Sequence, residues 1–297
     1  MDFIEVLSLL EKNTGIKRET IATITITIST FFLGFVINEL IKGIKNFNDR
    51  KFNRKILLLN IELLLGKLTL QIEGFNTFIE ALTIDYNGPK SIRHIAFAPI
   101  DVLFTIGYDN LYKSQFSGVE NLIGRNKEEK IKNFNNLWSI IYYFKHYHPK
   151  QQENAIKVVE DIGKLNELWN LSIQKAQNLI ESFLLSLNGK PHEDGISAFW
   201  SGRNEIFEKF CANKHPSMPT VVYEYFKEIL SHSVQNIDIN AQFEDRIRSI
   251  ETNDALNTSL NRYESLNNYI QASKSTFKFN RDTYVSYHNE LQKLLSS

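Results

Sequence analysis

The chain has 297 residues, with 34 Lys+Arg against 34 Asp+Glu and a formal net charge of zero. That balance argues against a dedicated nucleic-acid binder, which carries an excess of basic residues. A hydrophobic share of 42% and a charged share of 23% argue against wholesale disorder. One cysteine, Cys211, excludes an intramolecular disulfide framework and a cysteine-based zinc site, and 13 Gly with 6 Pro favour long helices over a turn-rich β fold.

At the N-terminus, Phe3, Ile4, Val6, Leu7 and Leu10 make one apolar face of a short helix within residues 1–19. The expected stop is Asn13-Thr14-Gly15, and the expected place is the outer membrane interface. Met1-Asp2 opens the chain without the basic n-region of a secretory signal, and no small-residue cleavage site follows. From Thr20 to Asn38 there is no charge, and Glu19 and Glu39 bound the run. As a helix it reaches roughly 28 Å, about the thickness of a bilayer core. We read residues 20–41 as a single transmembrane helix. The alternative is a buried strand, since Ile alternates with Thr or Ala from Ile21 to Ile28; the run is long for a strand and continues past Phe31 without a turn signal.

Within this span Thr23, Thr27, Thr30, Gly34 and Asn38 share one face. Small residues let two helices approach, so the face reads as a self-association seam. The plainer alternative is a lone anchor whose threonine hydroxyls bond their own backbone. Were several copies to meet there, the face would line a pore.

Residues 42–55 form a basic collar: Lys42, Lys45, Arg50, Lys51, Arg54 and Lys55. Lys12, Lys17 and Arg18 on the other flank are fewer and diluted by acids. The positive-inside rule then places the N-terminus outside and the C-terminal body in the cytoplasm of a single-pass inner-membrane protein. The collar also suits anionic lipid headgroups. A second span from Ile56 to Ile72 is disfavoured by Glu62 and Lys67, which lack an adjacent partner. Ile61, Leu64, Leu65, Leu68, Ile72, Phe75, Ile79 and Leu82 instead make the stripe of a water-facing amphipathic helix.

Residues 56–297 read as one all-α cytosolic bundle of long helices. The first helix runs from about Arg54 to Thr83 and ends at Asn87-Gly88-Pro89. Ser91 to Gly124 is the least helical part, with short helices among Val102, Leu103, Phe104 and Ile106. A helix from Lys127 to Tyr147 should stop at His148-Pro149. Gln151 to Leu187 is a second long helix, and Asn188 to Gly195 a loop. Helices of about Ile196 to Ala212 and Thr220 to Ser233 follow. Ala241 to Leu295 holds neither Gly nor Pro and reads as two long helices or one hairpin.

No phosphate loop, dinucleotide fingerprint, HExxH, GxSxG or CxxC occurs. No cofactor is implied. Glu224, Glu228 and His232 recur every four residues, a spacing that suits a shared metal, but they read as a solvated face and no metal is expected. His146 and His148 point to different sides of a helix and belong with Tyr142, Tyr143, Phe144 and Tyr147 in a packed aromatic end. His192-Glu193-Asp194 sits in the loop, and Cys211 between Phe210 and Ala212 reads as a buried hydrophobe.

The segment Arg281 to His288 (RDTYVSYH) resembles the R-x(4–6)-H pattern of the HEPN ribonucleases. The resemblance implies that Arg281 and His288 of two protomers meet on RNA, with His288 moving protons and Arg281 holding the phosphate. The plain alternative is two polar groups on an exposed helix face. An N-terminal span, a basic collar and a long-helix body resemble single-pass bacterial membrane proteins, some of which act as phage-defence effectors by disturbing the membrane. The leading expectation is a membrane-anchored helical effector or scaffold that oligomerises with itself and contacts a protein partner. The alternatives are a membrane-tethered ribonuclease, the one case in which nucleic acid is a partner, and a passive tether or sensor.

Overall fold

The computed structural model describes residues 3–85, 90–93, 95–116, 127–187, 205, 208, 218–235 and 243–296. Among these it is all-helical, with seven helices and no strand. They are α1 (Phe3–Thr14), α2 (Arg18–Ala81), α3 (Ala98–Ile106), α4 (Tyr108–Phe116), α5 (Lys127–Leu187), α6 (Pro219–Gln235) and α7 (Phe243–Ser296). The chain divides into two compact units, one of Met1–Glu62 with Pro99–Trp138, the other of Leu63–Ala98 with Ser139–Ser297.

In the first unit α1 ends where expected. Thr14 Oγ1 donates to the Leu10 carbonyl, and the Gly15 N–H bonds Glu11 O at φ +70°. That left-handed turn is open to glycine at little cost. Gly107, at φ +83°, makes the corner between α3 and α4 in the same way. The core of this unit gathers Leu57, Ile61, Ile100, Leu103, Leu111, Phe134 and Leu137. Tyr108 stands edge-on to Phe134 and Trp138, and its hydroxyl donates to Asn135 at 2.8 Å.

The second unit is built along α7. Thr69 faces His288, Phe75 faces Tyr284 and Phe78 faces Phe277, so α2 and α7 are antiparallel. Phe144 meets Tyr284, Asp161 meets Tyr269 and Trp169 meets Tyr263, so α5 and α7 are antiparallel too. Near the end of α2, Asp85 accepts from the N–H and hydroxyl of Thr220 at the start of α6. A carboxylate there satisfies free N–H groups and the positive end of the helix dipole. α6 then packs Phe226 and Ile229 against Ala176, Ile180, Leu256 and Leu260.

Two expectations are corrected. α5 does not stop at His148-Pro149 but runs through Pro149 to Leu187 as one helix. An interior proline costs roughly 3 kcal/mol. Here Phe144, His148, Ala155, Ile162 and Trp169 are buried in unbroken rhythm on both sides of it, which outweighs one missing hydrogen bond. The C-terminal section is one helix, α7, and not two: Leu256, Tyr263, Leu266, Ile270, Phe277, Tyr284 and Leu291 keep one stripe facing inward throughout. α2 ends at Ala81, where Thr83 N–H bonds Ala81 O, within two residues of the expected end near Thr83, and the signal Asn87-Gly88-Pro89 lies outside the described residues. The loop from Asn188 and most of the expected helix Ile196 to Ala212 also lie outside them, Glu205 and Glu208 being helical.

Candidate functional site

Helix α2 is long and apolar enough to cross a membrane, and its most apolar stretch is wholly unburied. Phe31, Phe32 and Phe35 are 79%, 67% and 57% exposed, and the large side chains from Ile24 to Phe47 are exposed on every side. A core helix of the same composition would be covered. An apolar surface of this extent marks an interaction site.

The threonines of this stretch bond their own helix. Thr23 Oγ1 donates to Glu19 O at 2.8 Å, Thr25 to Ile21 O at 2.8 Å and Thr27 to Thr23 O at 2.7 Å. These bonds give each hydroxyl an acceptor on its own helix. Thr30 and Asn38 are exposed, and a Cβ built on Gly34 meets nothing within 4 Å. Thr23, Thr27, Thr30, Gly34 and Asn38 therefore share an open face.

Beyond it the charges wind round the helix. Lys42 pairs with Glu39 at 2.8 Å, and Lys45, Lys51, Arg54 and Lys55 are exposed while Arg50 is half-buried. At about 100° per residue these six cations point in nearly all directions about the axis, a ring rather than a stripe. A ring suits a level of headgroups met from all sides. Further along, Leu57, Leu64 and Leu68 are buried while Glu62 and Lys67 are exposed, as the amphipathic reading of Ile56 to Ile72 requires.

Arg281 and His288 lie two turns apart on α7, both half-buried. Arg281 bonds Asp282 Oδ1 through Nε at 2.9 Å and Nη2 at 2.7 Å, and reaches Asn76 Oδ1 at 3.4 Å. His288 Nε2 stands 3.3 Å from Thr69 Oγ1. Both side chains thus lean on α2, and the guanidinium already has a carboxylate. Glu224 and Glu228 are half-buried on α6, and the side chain of His232 lies outside the described set. Among the described residues no three His, Cys, Asp or Glu gather to hold a metal. Tyr223, next to Glu224, donates to Glu264 at 2.8 Å; that bond, with burial, pushes its phenol up to about 12. His192-Glu193-Asp194 and Cys211 lie outside the described residues.

The packed aromatic end holds one arrangement that sequence reading missed. His148 is buried and stacked on Phe97 at 4.1 Å. Its Nε2 lies 2.8 Å from the Ile95 carbonyl and its Nδ1 2.7 Å from the Tyr284 hydroxyl. A carbonyl only accepts, so Nε2 carries the proton and Nδ1 accepts from Tyr284. Gln152 Nε2, 3.2 Å from the same Nε2, is then a neighbour and not a donor to it. Burial, with Tyr143 nearby, pushes the Tyr284 phenol far above its ordinary range, so it stays a donor. His146, by contrast, is exposed against Tyr142. This network locks the segment at Ile95 to α5 and α7, and it is structural.

Comparison with known families, curated proteins and solved structures finds no match.

Proposed function

We propose that the chain is a membrane-anchored helical effector or scaffold that works by self-association and contact with a protein partner. One observation carries this reading: α2 is a single helix whose apolar run is exposed all round and whose continuation is locked into a helical core. A soluble domain has no use for such a run, whereas a bilayer covers it. The basic ring supports an N-out orientation in a bacterial inner membrane. The architectural resemblance extends the proposal to disturbing that membrane in phage defence.

Alkaline carbonate extraction of membranes tests the anchor. The intact chain stays with the membrane, and the Phe32→Lys, Phe35→Lys double variant leaves it, because each mid-span charge costs about 2.5–3.5 kcal/mol even on the lenient scale. A wild-type chain that washes off refutes the anchor. Light scattering in detergent tests the seam: Thr30→Leu with Gly34→Leu should lower the oligomer mass, and an unchanged mass sinks the seam assignment.

A further inference from the structure

Helix α2 carries two apolar stripes, and the fold covers one. The covered stripe includes Leu57, Ile61, Leu64, Leu68, Phe75, Phe78 and Leu82, at alternating spacings of four and three apart from one gap. The second is Phe52, Ile56, Leu59, Leu63, Gly66 and Leu70, with the same alternation. It lies roughly 130° round the helix from the first, at about 100° per residue. Phe52, Leu59 and Leu63 are 64%, 53% and 52% exposed, and Ile56 and Leu70 are half-buried. A Cβ built on Gly66 meets nothing within 4 Å. So this glycine does nothing for packing inside the chain, although mid-helix it costs about 0.5–1 kcal/mol relative to alanine.

Charge identifies the occupant. With Ile56, Leu63 and Leu70 at the a positions of a heptad and Phe52, Leu59 and Gly66 at d, Glu62 falls at g and Lys67 at e. In a parallel two-stranded coil, a g residue meets the e residue five places on in the other strand. Glu62 therefore meets the partner's Lys67, and the reverse, giving two ion pairs by symmetry. Both side chains are exposed, and neither makes an ion pair within the chain among the described residues.

The open face of the span points the same way. Thr23, Thr27, Thr30, Gly34 and Asn38 fall within about 40° of the second stripe's direction on a straight helix. Lys45 and Asn48 lie between the two stretches on that face, so like charges separate them into two seams.

We propose that residues 52–70 of α2 are a parallel self-association seam occupied by a second copy of this chain, paired through Glu62 and Lys67. The parallel sense rests on the anchored reading above, since copies held by the same span leave the membrane on the same side.

The test uses the full chain in native membranes with Cys211→Ser as background. Leu59→Cys and Leu63→Cys should each give a two-chain product with a short thiol cross-linker, and Arg54→Cys on the far side should not. Glu62→Lys or Lys67→Glu, added to Leu59→Cys, should each lower the yield several-fold, and the two together should restore it. Equal yields at 54 and 59, no two-chain product, or a double variant as weak as the singles overturns the seam. Carbonate extraction of the same samples separates the two readings. A chain that washes off yet keeps the cross-linking pattern supports the seam and removes the anchor. A chain that stays anchored without the pattern removes the seam alone.

Discussion

Replacing Tyr284 by Phe tests whether the buried histidine network holds the second unit together. The substitution keeps the ring, which stands 5.0 Å from Phe75 and 5.1 Å from Phe144, both edge-on. It removes only the hydroxyl that donates to His148 Nδ1 at 2.7 Å. His148 is 5% exposed and Tyr284 fully buried, so water cannot easily replace the donor. A buried acceptor deprived of its donor costs about 1–3 kcal/mol. At roughly 2–4 °C per kcal/mol for a domain of this size, the melting midpoint should fall by a few degrees. Tyr284→Ala, which also empties the ring site, should cost about 3–5 kcal/mol. The assay is urea unfolding of the full chain in mild detergent, followed by circular dichroism. His148→Phe and the double variant complete the cycle, and a coupling of about 1 kcal/mol is expected for groups in direct contact. Refutation is a Tyr284→Phe variant within about 0.3 kcal/mol of wild type, or two substitutions that simply add.

Asp85→Ala should destabilise by about 0.5–2 kcal/mol, because it strips the acceptor from the start of α6; faster amide exchange confined to residues 219–223 would check the location. Gln71 is fully buried, and among the described residues neither end of its amide has a hydrogen-bond partner. Gln71→Leu should therefore stabilise by about 1–3 kcal/mol, and a lower unfolding midpoint would show that the amide has a partner after all. The Tyr223 phenol, raised to about 12 from 10.0, binds its proton more tightly folded than unfolded. The unfolded chain releases that proton first, so stability falls as pH rises from 10 through 12, and Tyr223→Phe should flatten part of that fall in alkaline urea titrations. Arg281→Ala and His288→Ala should leave the cellular effect of the protein intact, and its loss in both would reinstate the ribonuclease reading.

The element types were legible because apolar spacing alone marks long helices. The stop at Gly15 was legible because glycine takes a left-handed turn at little cost. The breaks were not. Pro149 lies on an exposed side of α5, so the stripe through His148 and Ala155 never reaches it, and local chemistry loses to burial there. The division expected in the C-terminal section had no basis in composition, since Ala241 to Leu295 lacks both Gly and Pro. His148 was read as aromatic packing, and it is buried, but its donors and acceptors come from Ile95 and Tyr284, far away in sequence. No local pattern announces such a pairing.

The second stripe on α2 was hidden by the first. A reading that asks only whether a segment is amphipathic stops once one apolar face is found, and Leu64, Leu68 and Phe75 satisfy it. Phe52, Leu59 and Leu63 then look like excess hydrophobicity, which is why Ile56 to Ile72 resembles a second span. Charge separates the two explanations. Were the segment in lipid, Glu62 and Lys67 would be costly whatever the other residues did. In water they sit on either side of a bare apolar stripe, at the spacing that pairs opposite charges between two parallel copies.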